Sequence, residues 1–348
     1  MPESQTTESQ TTESQTTAGA LWITEAEVVA AVDLMAAIAS VRAVLAMQHE
    51  ATASPLDKTA TGWGDGHTLH ALGGAAPGLG LVGTKTWAHT GRGATPLLVL
   101  WDQSSGRLEA VVEAFALGQL RTASITAVAT DVLAAAGASR LAMIGSGRQA
   151  LAQVAAVVSQ RPIREVRVHS PTAAHRAGFC RELAELVPGV EVVDCGSVAE
   201  AVVDAEVVVT ATRARQPFLE VGMLAMEAHV NAMGAITPER RELADSVITA
   251  AALVVSDCPS IATSLSSELS AAAEVVALAE VVGGWRREAT GPTVFKAMGL
   301  GLADIAVGAA VLQAMRRTGG GRPITQPRRA QPRLFAAPNA ARNEHGSS

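Results

Sequence analysis

The stretch Leu141-Ala142-Met143-Ile144-Gly145-Ser146-Gly147-Arg148-Gln149-Ala150 carries an apolar run straight into two closely spaced glycines, and an Ala/Val-rich segment follows. This order predicts a strand, a tight turn and a helix. Gly145 permits the turn, Gly147 lets backbone approach a pyrophosphate, and Ala150 lets the helix pack closely on the strand. The start of such a helix presents unpaired N–H groups and a positive dipole end to phosphates. Alone, Gly-x-Gly-x-x-Ala also fits an ordinary tight turn. The strand before it, the helix after it and a second strand about twenty residues later raise it to a dinucleotide site. Gly145, Ser146, Gly147, Arg148 and Gln149 are therefore candidate cofactor contacts.

Outward from the turn, strands alternate with helices. Apolar, β-branched runs at 140–144, 165–169, 190–194, 206–212, 229–233 and 252–256 are separated by helical segments at 149–159, 173–186, 198–203 and 238–244. Such alternation predicts an α/β domain, a doubly wound parallel sheet with right-handed crossovers. The preceding chain has another texture. One helix at 25–47 is followed by short strand-like runs at 68–72, 79–87 and 96–101; the turn Asp102-Gln103-Ser104-Ser105-Gly106 then returns the chain into 108–115. This reads as an α+β domain with an antiparallel sheet. The long helix at 301–317 is expected to pack back on it. The expected boundaries are 21–119 with 300–318 for this domain and 120–299 for the dinucleotide domain. Residues 1–20, with three copies of Glu-Ser-Gln-Thr-Thr, and the Gly/Pro/Arg-rich residues 319–348 are expected to be disordered tails.

Composition narrows the function. A net charge of −6 over 348 residues provides no basic face for nucleic acid. No uninterrupted apolar run is long enough to span a membrane, and the acidic, polar N-terminus does not read as a signal peptide. Cys180, Cys195 and Cys258 show no paired spacing, which points to a reducing, cytoplasmic setting. His67 and His70 lie close in sequence without a third ligand nearby, so no metal site is expected. Cys258 reads as a packed residue rather than a nucleophile.

The end of the second strand selects between coenzymes, because an acid there holds the ribose of NAD. Here the chain reads Val168-His169-Ser170-Pro171-Thr172, followed by His175 and Arg176, with no acid. Ser170, Thr172 and Arg176 therefore favour NADP(H), with NAD(H) as the alternative.

Three further stretches are informative together: Leu120-Arg121-Thr122-Ala123-Ser124, Val230-Asn231-Ala232-Met233-Gly234-Ala235 and Thr293-Val294-Phe295-Lys296-Ala297-Met298-Gly299, the last followed by Asp304. With them, residues 21–315 resemble the ornithine cyclodeaminase/mu-crystallin family. The resemblance implies a homodimer whose subunits combine a Rossmann-type domain with a dimerisation and substrate domain. It implies a small amino or imino acid substrate and chemistry at an imine beside a carboxylate. It places Lys85, in Val82-Gly83-Thr84-Lys85-Thr86-Trp87, near the reacting centre, and Arg121 on the substrate carboxylate. A guanidinium fork can hold a carboxylate at two points, and an ammonium can orient an amine or supply a proton. Ala232, Met233 and Gly234 are expected near the cofactor ring, and Thr95, Thr210, Ala211 and Thr212 are further candidate cofactor contacts.

Three departures from the family pattern matter. Where cyclodeaminases carry an aspartate after the Asn-Ala-x-Gly stretch, this chain has Ile236, with Thr237 beside it. The family's second carboxylate-binding arginine corresponds to Lys58, in Pro55-Leu56-Asp57-Lys58, which keeps the charge without the fork and could also be a solvated loop residue. Ala297 replaces a frequent hydroxyl residue, and the loop after Lys85 is short, with His89 a lesser candidate proton donor. These features favour an NAD(P)H-dependent oxidoreductase that reduces a carboxylate-bearing imine or interconverts an amino acid and its imine. The alternatives are an ornithine- or lysine-type cyclodeaminase with recycled NAD+, and a non-catalytic protein that binds NADPH and a small ligand.

Overall fold

The structure is a computed structural model, and it describes residues 19–286 and 290–335. Its central parallel sheet runs in the order Glu191–Asp194, Glu165–His169, Arg140–Ile144, Val207–Thr210, His229–Ala232, Thr293–Lys296, Leu253–Ser256 and Val276–Ala277. The strand-by-strand alternation explains why helices cover both faces. Leu141 and Met143 point into one core with Val154, Val157 and Leu183. Ala142 and Ile144 point into the other with Val208, Val230 and Val247. Successive side chains on a strand face opposite ways, so a run with no polar member must be buried twice. The strand order reverses between Arg140–Ile144 and Val207–Thr210, which opens a crevice at the carboxyl ends of these strands.

The second sheet runs Arg322–Ile324, Ala20–Ile23, Leu108–Glu113, Leu97–Asp102, Leu81–Thr90, His67–Ala76 and Ser54–Trp63, with Gly93–Ala94 attached to Leu81–Thr90. All its pairings are antiparallel except Ala20–Ile23 with Leu108–Glu113. Helix Gly301–Thr318 packs against it, so closely that a Cβ on Gly301 would lie 2.3 Å from backbone atoms of Gly73, and helix Leu34–His49 packs on Gly301–Thr318. Helix Phe115–Leu133 spans the expected domain boundary at residue 120 and is buried from Ala123 through Thr130. It touches both the helix Leu34–His49 and the strand His229–Ala232, so one rod joins the two sheets.

Several elements differ from the sequence expectation. The helix at 25–47 is two helices, Glu25–Ala31 and Leu34–His49, bent by 85°. Val32 is extended there, and the Asp33 carboxylate accepts the Ala36 N–H at 2.8 Å, capping a new start. Residues 238–244 form no helix, because Glu268 accepts the backbone N–H groups of Glu242 and Leu243 at 2.5 and 2.9 Å. The helix begins only at Asp245. The edge strand Ser54–Trp63 was unforeseen because it is exposed almost throughout and lacks apolar alternation.

The expected tail from residue 319 begins with structure. Gly319 ends the last helix in the left-handed conformation, Gly321 N–H donates to Glu27 at 2.8 Å, and Arg322–Ile324 pairs with the first strand. Residues 1–18, most of the first expected tail, and 336–348, the end of the second, lie outside the described residues. Among the described residues no single helix is long and apolar enough to cross a membrane.

Candidate active site

A cavity of about 1170 Å³ lies where the parallel strands end against the antiparallel sheet. At one end is the glycine turn. Gly145 holds φ at +113°, and a Cβ there would come 2.7 Å from the Ala211 carbonyl oxygen. Its N–H donates to the His169 carbonyl at 2.8 Å, tying the turn to the next strand. Gly147 meets nothing within 4 Å, so its backbone is open to the cavity at the start of helix Ala150–Val158. Ser146, Arg148 and Gln149 line the same end, and Ser170 and Thr172 line it where a coenzyme ribose would sit. An open glycine and a helix start with free N–H groups fit a nicotinamide dinucleotide.

Ala211, Thr212, Met233 and Gly234 line the middle of the cavity. Glu242, fully buried, fastens the two loops that carry them: its carboxylate accepts N–H groups from Thr212 at 2.6 Å and Gly234 at 2.9 Å, and the Thr210 hydroxyl at 2.9 Å. Behind it, Glu268 and Lys296 form a fully buried ion pair. Gly145→Ala is expected to weaken coenzyme binding at least tenfold, because left-handed backbone costs a side-chain-bearing residue about 1–3 kcal/mol and the added methyl meets the Ala211 carbonyl. Titration of nicotinamide fluorescence checks this; unchanged affinity in a folded variant would sink the assignment of the turn.

The far end of the cavity holds three cations. Lys85 belongs to the inward set Leu81, Gly83, Lys85 of its strand and pairs across the sheet with Leu72 and Leu98. It is 4% exposed, and its ammonium meets the fully buried Asp304 carboxylate at 2.5 Å. Burial, together with the Arg121 guanidinium, pushes Lys85 down to about 8; Asp304 pulls the other way and is outweighed. Arg121 lies inside helix Phe115–Leu133, and its Nε stands 3.3 Å from the same Asp304 oxygen. Lys58 is the half-buried residue of its exposed strand, at a bulge between Leu56 and Thr59 that turns it toward the cavity. Burial, then Arg121, lowers its ammonium too. Asp257 completes the group, buried, with its oxygens accepting N–H from Met298 at 2.7 Å and Gly299 at 2.9 Å.

Four expected cofactor residues do not line the cavity. Thr210 is fully buried and spends its hydroxyl on Glu242. Ala232 is sealed within its strand, and Thr95 is exposed between Ala94 and Pro96, which do line it. Arg176 turns away to Asp194 and the Ser170 carbonyl. Ile236 and His89 face the cavity. His70 stacks on Trp87 at 4.8 Å, and among the described residues no three His, Cys, Asp or Glu side chains gather as a metal site. Burial raises the Cys258 thiol, so it is no ready nucleophile. Sequence reasoning assigned no role to Asp304, Asp257 or Glu242.

Known proteins are similar to this chain in sequence and in fold. The mouse (Mus musculus) ketimine reductase mu-crystallin is 33% identical over 210 residues, which are 60% of this chain and 66% of that protein. The NAD(P)H-dependent anabolic L-arginine dehydrogenase of Pseudomonas aeruginosa is 32% identical over 255 residues, 69% of this chain and 79% of that protein. A probable ornithine cyclodeaminase from Bordetella pertussis superposes with a TM-score of 0.80 at 27% identity, over 88% of this chain and 100% of that one. The profile of the ornithine cyclodeaminase/mu-crystallin family matches residues 85–319. This chain belongs to the ornithine cyclodeaminase/mu-crystallin family.

Proposed function

We propose that the chain is an NAD(P)H-dependent reductase of small imines that carry a carboxylate. The observation that carries this reading is the Lys85–Asp304–Arg121 cluster in the same cavity as the glycine turn. A bound nicotinamide dinucleotide supplies the hydride. Arg121 grips the substrate carboxylate, assisted by Lys58. Lys85, held by Asp304, orients the imine nitrogen and delivers a proton to it as the carbon is reduced. The mouse ketimine reductase relative supports the reaction class.

The charges argue against a diamino acid. Asp257 is the one acid among the described residues lining the cavity, and both its oxygens already accept backbone N–H groups. Ile236 stands where a proton-handling carboxylate would serve cyclodeamination. A second ammonium on the substrate would find no partner, and an unpaired buried charge is costly. The absence of an acid at Ser170–Thr172 supports admission of NADPH beside NADH. The exposed edge strand Ser54–Trp63, with Leu56, Trp63 and nearby Leu69 uncovered, supports a homodimer. Three unpaired cysteines support a reducing, cytoplasmic setting.

The test is turnover of Δ1-pyrroline-2-carboxylate and six-membered cyclic ketimines with NADH and NADPH. Coenzyme oxidation matched by imine consumption is expected. Ammonia release from ornithine or lysine with no net change in NADH would overturn the reading in favour of cyclodeamination.

A further inference from the structure

We infer that Asp194 sets the coenzyme preference of this site by latching Arg176 away from the ribose end of the cavity. The inference rests on the coenzyme-site reading above and goes beyond it. Arg176, in the first turn of helix Ala173–Leu186, follows closely after Ser170 and Thr172, which line that end. Its guanidinium nevertheless points elsewhere. Nε donates to the Asp194 carboxylate, and Nη1 donates to the Ser170 carbonyl at 2.6 Å, leaving the side chain 12% exposed. Asp194 ends the neighbouring parallel strand, in register with Val168.

The latch has an electrostatic and a geometric part. A 2′-phosphate brings about two extra negative charges, and an arginine serves it best by offering two parallel N–H donors. Here one carboxylate neutralises the guanidinium and occupies one of its edges. A ribose 2′-hydroxyl asks nothing of Arg176, so NADH binding is indifferent to the pair. Because the guanidinium already touches the Ser170 carbonyl, a rotation of the side chain suffices to bring it to the ribose end. Loss of the Asp194 charge therefore converts a coenzyme-tolerant site into one that prefers NADPH.

Binding of each coenzyme, followed by nicotinamide fluorescence on the full-length protein, tests this without turnover. Asp194→Asn is expected to tighten NADPH by about tenfold, in line with one charge-assisted contact, and to leave NADH within twofold. The double variant Asp194→Asn/Arg176→Ala is expected to lose that gain, which separates release of Arg176 from simple removal of a repelling acid. Arg176→Ala alone is expected to leave NADPH affinity unchanged. An unaltered NADPH-to-NADH ratio in Asp194→Asn, with both coenzymes still bound, would overturn the latch while sparing the coenzyme site. Failure of the unaltered protein to bind either coenzyme would overturn both.

Discussion

Lys85→Met is expected to lower kcat for imine reduction by about 10²- to 10⁴-fold, the usual contribution of a positioned proton donor, with coenzyme affinity unchanged. The substitution keeps the stem that packs between Leu72 and Leu98 and removes only the ammonium. It also leaves the fully buried Asp304 facing Arg121 alone, and breaking a buried pair costs about 3–5 kcal/mol of stability. The double variant Lys85→Met/Asp304→Asn removes both charges and is expected to recover thermal stability while remaining inactive. A folded Lys85→Met enzyme with activity within about tenfold of the unaltered protein would contradict the role. The pH profile gives an independent readout. Because Lys85 holds its proton only up to about pH 8, kcat/KM should fall as pH rises through that value. Asp304 raises the Lys85 affinity for its proton, so Asp304→Asn should move the fall to lower pH.

Arg121→Ala is expected to raise KM for the imine by about 30-fold to a few thousand-fold, since truncating one partner of a buried charge pair costs roughly 2–5 kcal/mol. The split between constants is diagnostic: a carboxylate grip made equally in ground and transition states appears in KM rather than kcat. Arg121→Lys should recover part of the loss but not all, because an ammonium lacks the paired donors. The guanidinium also depresses Lys85, so either variant moves the alkaline fall of kcat/KM: upward for alanine, and little for lysine. Steady-state kinetics across pH check both points. An unchanged KM in a folded alanine variant would remove Arg121 from the substrate site.

How far the sequence revealed this arrangement depended on whether neighbours in the chain were also neighbours in space. The glycine turn was legible because strand, turn and helix are contiguous, and the doubly wound sheet was legible because its central strands are mostly apolar, with runs such as Leu141–Ile144 and Val207–Val209. Asp304 marked the resemblance, but its pairing with Lys85 was not legible, since it lies in a largely buried helix whose pattern announces only packing. Lys58, matched to a carboxylate-binding arginine, read equally as a loop residue because its strand is exposed on nearly every position, leaving no apolar alternation to read. The pairing of Arg176 was hidden for a related reason: its partner Asp194 comes from the next strand, 18 residues away, and only the parallel pairing brings them together. The helix misplaced at 238–244 failed because its N–H groups are claimed by Glu268, a long-range side chain that local propensity does not register.

The joint between Gly301 and Gly73 has a consequence for how the protein is made. The last helix fills the groove of a sheet built from the first third of the chain, so that sheet must wait for a segment synthesised much later. Lys85 and Asp304 are 219 positions apart, which at about 5–20 residues per second corresponds to roughly 10–45 seconds on the ribosome. Throughout that interval the site lysine has no counter-ion and the sheet no cover. The parallel domain between them can close on its own strands in the meantime. The Lys85–Asp304–Arg121 cluster is therefore among the last parts of the molecule to form, and a chain released before residue 304 carries the glycine turn without Asp304.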